Sequence, residues 1–251
     1  MSPHRTPISE NWFHASFDSL YPVVYAHRTV ESAQAESLFS IVKTQLKFEE
    51  RVLDLCCGSG RHLAHLLKAS HHVVGLDYSE HLLELAKDLV GEKAQLVRGD
   101  MRDLPFDESF DVVMNYFTSF GYFMENEENQ RVVDNVCKAL KPGGRFFIDY
   151  MNKEYVLASI ESESHRFEQE FEIVEKRWVD DARQRVNKLT QVLKDGKEIK
   201  QSSESVQLYT EKEFTDLLSC SCLEIESLHG NYDGSAISSD NPRMIVVGRK
   251  L

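Results

Sequence analysis

Two carboxylates and a pair of glycines carry the first chemical signal. In Val52-Leu53-Asp54-Leu55-Cys56-Cys57-Gly58-Ser59-Gly60-Arg61-His62 an apolar run holding one acid leads into a loop. There Gly58 and Gly60 let backbone N–H groups face a ligand with no side chain in the way. Asp77 closes the next apolar run, close to the spacing of ~20 residues at which an acid after a glycine loop accepts two ribose hydroxyls. A dinucleotide site would want Gly or Ala at position 63, beside the pyrophosphate, and the residue there is Leu63. Asp54 points the same way, being unwelcome beside phosphates but suited to an α-amino group. These residues predict a mononucleoside ligand without a diphosphate.

The elements that must position this loop follow from hydrophobic patterning. Short apolar runs alternate with helical patterns between about residues 51 and 152, as in a parallel sheet covered by helices. Strands are expected at Arg51–Cys56, His72–Asp77, Ala94–Arg98, Phe110–Asn115 and Arg145–Tyr150, with helices at Arg61–Ala69, from Ser79 as N-cap, and at Gln130–Leu140. Beyond Asn152 the pattern changes to three long strands, Phe167–Val179, Arg185–Leu193 and Glu198–Leu208, the last two joined by an Asp195-Gly196 hairpin turn. A capping box at Thr210 and Glu213 restores helix, and two strands end the chain. Residues 11–45 read as helical, with Ala33, Leu38, Ile41, Val42 and Leu46 loosely periodic.

Taken together, these motifs resemble the class I S-adenosylmethionine-dependent methyltransferases, from about Arg51 to Arg249. Supporting stretches are Val97-Arg98-Gly99-Asp100-Met101, Asp100-Met101-Arg102-Asp103-Leu104-Pro105-Phe106 before Phe110-Asp111-Val112-Val113, and Leu140-Lys141-Pro142-Gly143-Gly144. The resemblance implies an α/β fold with a doubly wound, seven-stranded, mostly parallel Rossmann-like sheet. An antiparallel β insertion would follow the fifth strand, and an N-terminal helical cap would precede the core. The domains implied are a cap over 1–45, a cofactor core over 46–152, the insertion over 153–209 as lid or dimer element, and a closing segment over 210–251.

The same resemblance implies S-adenosylmethionine as cofactor, with S-adenosylhomocysteine as product. Asp54, Cys56, Gly58 and Gly60 would hold its methionine part, Asp77 and Tyr78 the ribose side, Asp100 and Met101 the adenine. Asn115 would face both cofactor and acceptor, and Arg28, like Arg61, the cofactor carboxylate. Cys56 stands where many members have glycine, so a positive φ is not expected there. Tyr21 and Tyr25 are candidates to lie over the sulfonium, whose charge an aromatic face attracts. The acceptor pocket is expected to draw on Tyr25, Tyr116, Phe117, Tyr122, Tyr150 and Asn152, since ligands of open α/β sheets bind beyond the strands' carboxyl ends.

Composition narrows the acceptor. The chain has 251 residues, 41 % hydrophobic and 28 % charged, with a net charge of −12, enough for a full core and repulsive to nucleic acid or anionic membrane. Asn115-Tyr116-Phe117-Thr118 also lacks the prolines of the methyltransferases that act on DNA bases or glutamine. A small-molecule N, O, S or C nucleophile is therefore expected, in a cytoplasmic monomer or homodimer with no membrane contact. The five cysteines are read as reduced, and Cys220-Ser221-Cys222 lacks the second ligand pair of a zinc site, so no metal is expected. A base is required only if the acceptor must lose a proton, and none of the ten histidines is singled out for it. Alternatives are an NAD(P)-dependent oxidoreductase, weakened by Leu63 and Asp54, a non-catalytic S-adenosylmethionine-binding regulatory subunit, and an aminopropyl transferase.

Overall fold

The computed structural model describes residues 8–251. Its chain order begins with three helices, α1 (Phe13–Ser16), α2 (Tyr21–Val24) and α3 (Ala33–Thr44). The alternating stretch follows as β1 (Arg51–Leu55), α4 (Leu63–Leu66), β2 (His72–Asp77), α5 (Glu80–Val90), β3 (Gln95–Arg98), β4 (Phe110–Asn115), α6 (Asn126–Ala139) and β5 (Leu140–Met151). After α7 (Lys153–Ser159) come β6 (Glu163–Glu168), β7 (Phe171–Asp180), β8 (Arg185–Lys194) and β9 (Lys197–Gln207), then α8 (Glu211–Ser219), β10 (Leu223–His229) and β11 (Arg243–Lys250).

Seven strands form one sheet in the order β10-β11-β5-β4-β1-β2-β3, with β11 antiparallel to both of its neighbours and the rest of the pairs parallel. Helices cover it, so β1 and β4 are buried along nearly their whole length and are apolar but for Arg51 and Asp54 of β1 and Asp111 and Asn115 of β4. Inserted after β5, the strands β6 to β9 make a second, antiparallel four-stranded sheet. The N-terminal segment ties to this sheet: Ser16 Oγ donates to the Ser203 carbonyl (2.8 Å), and Lys200 pairs with Asp18. Ser79 caps α5 by accepting from the Leu82 N–H, and Thr210 with Glu213 forms the capping box of α8.

Local expectations fail where tertiary contacts override pattern. The run Phe167–Val179 is two strands, turning at Gln169 with φ 56° and no glycine or proline to announce it. The helix expected from Arg61 to Ala69 keeps regular form only over Leu63–Leu66. On α3 the buried residues are Ala33, Ser37, Ser40 and Thr44, while Leu38 and Val42 are 59 % and 62 % exposed. Its small polar face is accepted inside because Ser40 Oγ and the Tyr116 hydroxyl share a hydrogen bond (2.5 Å). The reduced reading fails for two cysteines: Cys137 of α6 and Cys222, just before β10, form a disulfide with Cα atoms 6.0 Å apart, leaving Cys56, Cys57 and Cys220 free.

Candidate active site

Where β1 gives way to the glycine loop, three residues take left-handed backbone: Cys56 (φ 63°), Gly58 (φ 54°) and Gly60 (φ 83°). The expectation for Cys56 is thus corrected; a non-glycine residue takes the turn, at a cost of roughly 1–2 kcal/mol. A methyl group built on Gly58 would meet nothing within 4 Å, so there the backbone faces open space. At Gly60 it would lie 3.1 Å from the Ala86 Cβ, and the glycine lets α5 pack close. Asp77 braces the loop from β2, with Oδ2 accepting from the Gly58 N–H (2.8 Å) and Oδ1 from the Ser79 N–H (2.9 Å). Burial raises its pKa against the opposing pull of those N–H donors.

Behind the loop, Asp54 is 1 % exposed and neither carboxylate oxygen has a hydrogen-bond partner. Burial pushes its pKa well above the ordinary carboxylate range; Arg61 opposes the shift and Asp77 adds to it. Such an acid is costly unless a donor arrives to meet it.

One cleft gathers Tyr21, Tyr25, Arg28, Cys56, Gly58, Asp77, Tyr78, Asp100, Met101, Tyr116, Phe117 and Tyr122 from distant parts of the sequence. Asp54 and Gly60 lie behind its loop wall. Near Met101 the Cys56 and Met101 sulfurs are 3.7 Å apart, and Tyr78 stacks on His14 with centroids 5.0 Å apart. Asp100 binds Arg102 through both oxygens, and Arg102 pairs in turn with Glu128 (2.6 Å). Arg28 lies 3.9 Å over the Tyr25 ring and 4.4 Å over that of Phe117, and donates to the Tyr21 hydroxyl (3.2 Å). Among the described residues no carboxylate is within ion-pair distance of it, and its Nε is buried without a partner. The Tyr25 ring is already taken by cations, since Lys188 Nζ also sits 4.6 Å from its centroid. Its hydroxyl is held by Glu204 and Lys188.

Three expected residues lie elsewhere. Tyr150 is fully buried, stacked on Phe214, with its hydroxyl donating to the Gln207 carbonyl. Asn152 caps α7 and donates to the Ser238 and Asn241 carbonyls (2.7 and 2.8 Å). Asn115 donates to the Leu55 and Ser119 carbonyls (3.0 and 3.1 Å), tying β4 to β1 rather than facing the cleft. In each case a polar side chain next to the sheet's carboxyl edge satisfies backbone carbonyls of neighbouring strands or loops.

Sequence reading missed several residues. Glu36 on α3 pairs with Arg61 (2.9 Å) and accepts from His62 Nε2 (2.6 Å), whose ring stacks on Tyr116 at 3.9 Å. Burial lowers the His62 pKa to about 4 in spite of that carboxylate, with Arg61 adding to the shift, so the imidazole is neutral at pH 7. Asp149 of β5, fully buried, accepts from the Phe117 N–H (2.8 Å), Arg243 Nε (2.6 Å) and the Tyr232 hydroxyl. Its visible signal was a lone acid inside Phe146-Phe147-Ile148-Asp149-Tyr150. A second cavity of about 550 Å³ opens between the core, α7 and the antiparallel sheet, with Met151, Tyr155, Arg177, Glu204 and Arg243 among its walls. Phe17, Tyr21, Tyr25, Arg28, Phe117 and Tyr122 line both cavities.

Residues 52–144 match the family model described as a methyltransferase domain. The chain is 32 % identical over 126 residues to a dTDP-3-amino-3,4,6-trideoxy-alpha-D-glucopyranose N,N-dimethyltransferase of Streptomyces venezuelae, covering 50 % of this chain and 53 % of that one. It is 35 % identical over 140 residues to a demethylmenaquinone methyltransferase of Clavibacter sepedonicus, covering 53 % and 56 %. The chain spans about half the length of the curated relatives it matches. A solved S-adenosylmethionine-dependent methyltransferase from Clostridium acetobutylicum superposes with a TM-score of 0.78 at 18 % identity, over 92 % of this chain and 96 % of that one. Over residues 52–144 the chain therefore matches a methyltransferase domain, and its fold is that of a solved S-adenosylmethionine-dependent methyltransferase.

Proposed function

We propose that the protein transfers the methyl group of S-adenosylmethionine to a small-molecule nucleophile. The observation that carries this reading is Asp54, a buried carboxylate with two unpartnered oxygens behind a glycine loop. With Arg28, a cation on the cleft wall that has no carboxylate partner among the described residues, it fits the zwitterionic end of an amino acid. Asp54 would meet the amino group and Arg28 the carboxylate, with Gly58, Gly60 and Cys56 shaping the backbone between them. Asp77 and Tyr78 would take the ribose, and Asp100 with Met101 the adenine.

S-adenosylmethionine supplies an activated methyl carbon, so the protein's own task is alignment, worth up to roughly 7–11 kcal/mol in favourable cases. Tyr21, Tyr25, Phe117 and Tyr122 form the wall common to both cavities and would frame the transfer, while the second cavity takes the acceptor. Its volume falls in the range of ordinary small-ligand sites. Residues 46–152 would then bind the cofactor, the described part of the 1–45 segment cap it, 153–209 close the acceptor side and 210–251 complete the sheet. Relatives named for an amino sugar and a demethylmenaquinone favour small acceptors. Among the described residues no helix is long and apolar enough to cross a membrane, and a cytoplasmic setting is part of the proposal.

Isothermal titration with S-adenosylmethionine and S-adenosylhomocysteine tests the reading directly, followed by a screen of amino sugars, other amines, quinols and phenols with a homocysteine-coupled readout. Saturable binding of both nucleosides and turnover of one acceptor class are expected. Absence of binding by either nucleoside overturns the assignment.

A further inference from the structure

The chain leaves β4 through an uncommon turn. Phe117 and Thr118, neither of them glycine, take consecutive left-handed conformations with φ 56° and 63°. Backbone held this way persists only where surrounding contacts over-determine it. Here the contacts come from Asp149. Its Oδ2 accepts from the Phe117 N–H (2.8 Å) and its main-chain carbonyl from the Thr118 N–H (2.8 Å), so one residue holds both strained amides. The carboxylate is itself fixed by Arg243 Nε (2.6 Å) and the Tyr232 hydroxyl, and Arg243 Nη2 reaches on to Thr118 Oγ1 (3.0 Å). What this clamp displays is the Phe117 ring, at the wall common to the two cavities, with the guanidiniums of Arg28, Arg61 and Arg243 at 4.4, 4.9 and 5.1 Å from its centroid.

We propose that Asp149 is a positioning residue for the transfer step: its buried carboxylate locks the Phe117–Thr118 turn and so fixes the wall across which cofactor and acceptor meet. The proposal rests on the methyl-transfer reading. Asp149 touches neither cavity's contents and acts through Phe117 and Thr118. It follows that losing the clamp disturbs alignment more than cofactor affinity, because Asp54 and Asp77 stand on other strands and Gly58 in the loop after β1.

The test compares wild type, Asp149→Asn, Tyr232→Phe and the double variant Asp149→Asn/Thr118→Asn, since asparagine tolerates left-handed backbone better than threonine. Three quantities are read: amide exchange of the peptide covering residues 116–121, S-adenosylhomocysteine affinity by titration, and kcat and KM for the acceptor with the largest wild-type turnover in the screen. Asp149→Asn is expected to speed exchange in that peptide about tenfold or more. It should leave S-adenosylhomocysteine affinity within about threefold and lower kcat by roughly 100-fold. The double variant should recover part of kcat, which general destabilisation would not allow. Tyr232→Phe removes a single donor and should give a smaller kcat loss at unchanged cofactor affinity, and it carries the test if Asp149→Asn does not fold. Unchanged exchange in the 116–121 peptide, or faster exchange with unchanged kcat, overturns the proposal. Failure of wild type to bind S-adenosylhomocysteine overturns instead the methyl-transfer reading on which it rests.

Discussion

Asp54 pays for its position in the cofactor-free protein, and pH exposes the cost. Below about pH 4 the folded and unfolded chains both hold its proton. As pH rises the unfolded chain releases that proton first, because burial has raised the folded pKa, and the folded state loses relative stability until its own carboxyl ionises. Asp54→Asn abolishes this loss, so its melting temperature should exceed that of wild type by a margin that widens as pH is raised from 4 toward 7. The same substitution should weaken S-adenosylhomocysteine binding by roughly 10- to 100-fold, the worth of a charge-assisted hydrogen bond. Melting scans across pH and a titration at pH 7 check the two halves; equal melting curves at every pH would remove the buried carboxylate from the account. At this scale the sequence showed the acids and glycines fixed by short spacing, Asp54, Gly58, Gly60 and Asp77, because strand, loop and helix start are neighbours in the chain. The roles of Glu36 and Asp149 and the aromatic seat of Arg28 on Tyr25 and Phe117 were illegible, since each is defined by partners distant in the sequence or by how they pack. Tyr150 and Asn152 lie away from the cleft because the end of a strand near a pocket also needs side chains to satisfy neighbouring backbone carbonyls.

Between elements, one buried cation is among the links that join the antiparallel sheet to the loop walling the first cleft. Arg185, at the start of β8, is 2 % exposed and donates to the carbonyls of Gly121 (3.2 Å), Tyr122 (2.9 Å), Phe123 (2.8 Å) and Ser205 (2.7 Å), and to Ser205 Oγ (2.7 Å). Tyr122 and Phe123 are walls of the cleft, so this guanidinium sets the sheet against the same loop that shapes the site. Replacing it with methionine keeps bulk and leaves several buried carbonyls unpaired, at a cost of about 3–5 kcal/mol. Thermal unfolding should fall by roughly 10 °C or more, and limited proteolysis should open first between residues 119 and 126. A loss confined to a degree or two would show that the sheet is held by its other contacts. The strands of this sheet were readable from alternation and from the Asp195-Gly196 turn, where both residues do take positive φ. The break at Gln169 was not, as nothing in its composition marks a turn. On α3 the apolar spacing of Leu38 and Val42 pointed the helix the wrong way, because the face that packs does so through serines.

Across the whole molecule, the Cys137–Cys222 bridge closes a stretch of 85 residues that contains β5, all four strands of the antiparallel sheet and α8. It spans from α6, which covers the centre of the main sheet, to β10 at its edge, so every segment expected to contribute to the acceptor side beyond β5, except β11, is enclosed within it. A covalent loop of this length restricts the unfolded chain, and bridges of this kind stabilise by typically 2–4 kcal/mol. For a protein of this size that corresponds to roughly 5–15 °C in melting temperature. Cytosolic proteins rarely keep such bonds, and the odd cysteine count with the adjacent Cys56 and Cys57, which cannot bridge each other, led to an all-reduced expectation; no sequence spacing could pair a helix residue with one before an edge strand. Thiol titration of protein denatured without reductant should find the three free cysteines, Cys56, Cys57 and Cys220, and two more after reduction. Cys222→Ser should lower the melting temperature of oxidised protein toward that of the reduced wild type while leaving S-adenosylhomocysteine affinity unchanged, because the bridge lies outside both cavities. Finding five thiols before reduction would mean that α6 and β10 are held together by packing alone, and the same melting temperature with and without reductant would then follow.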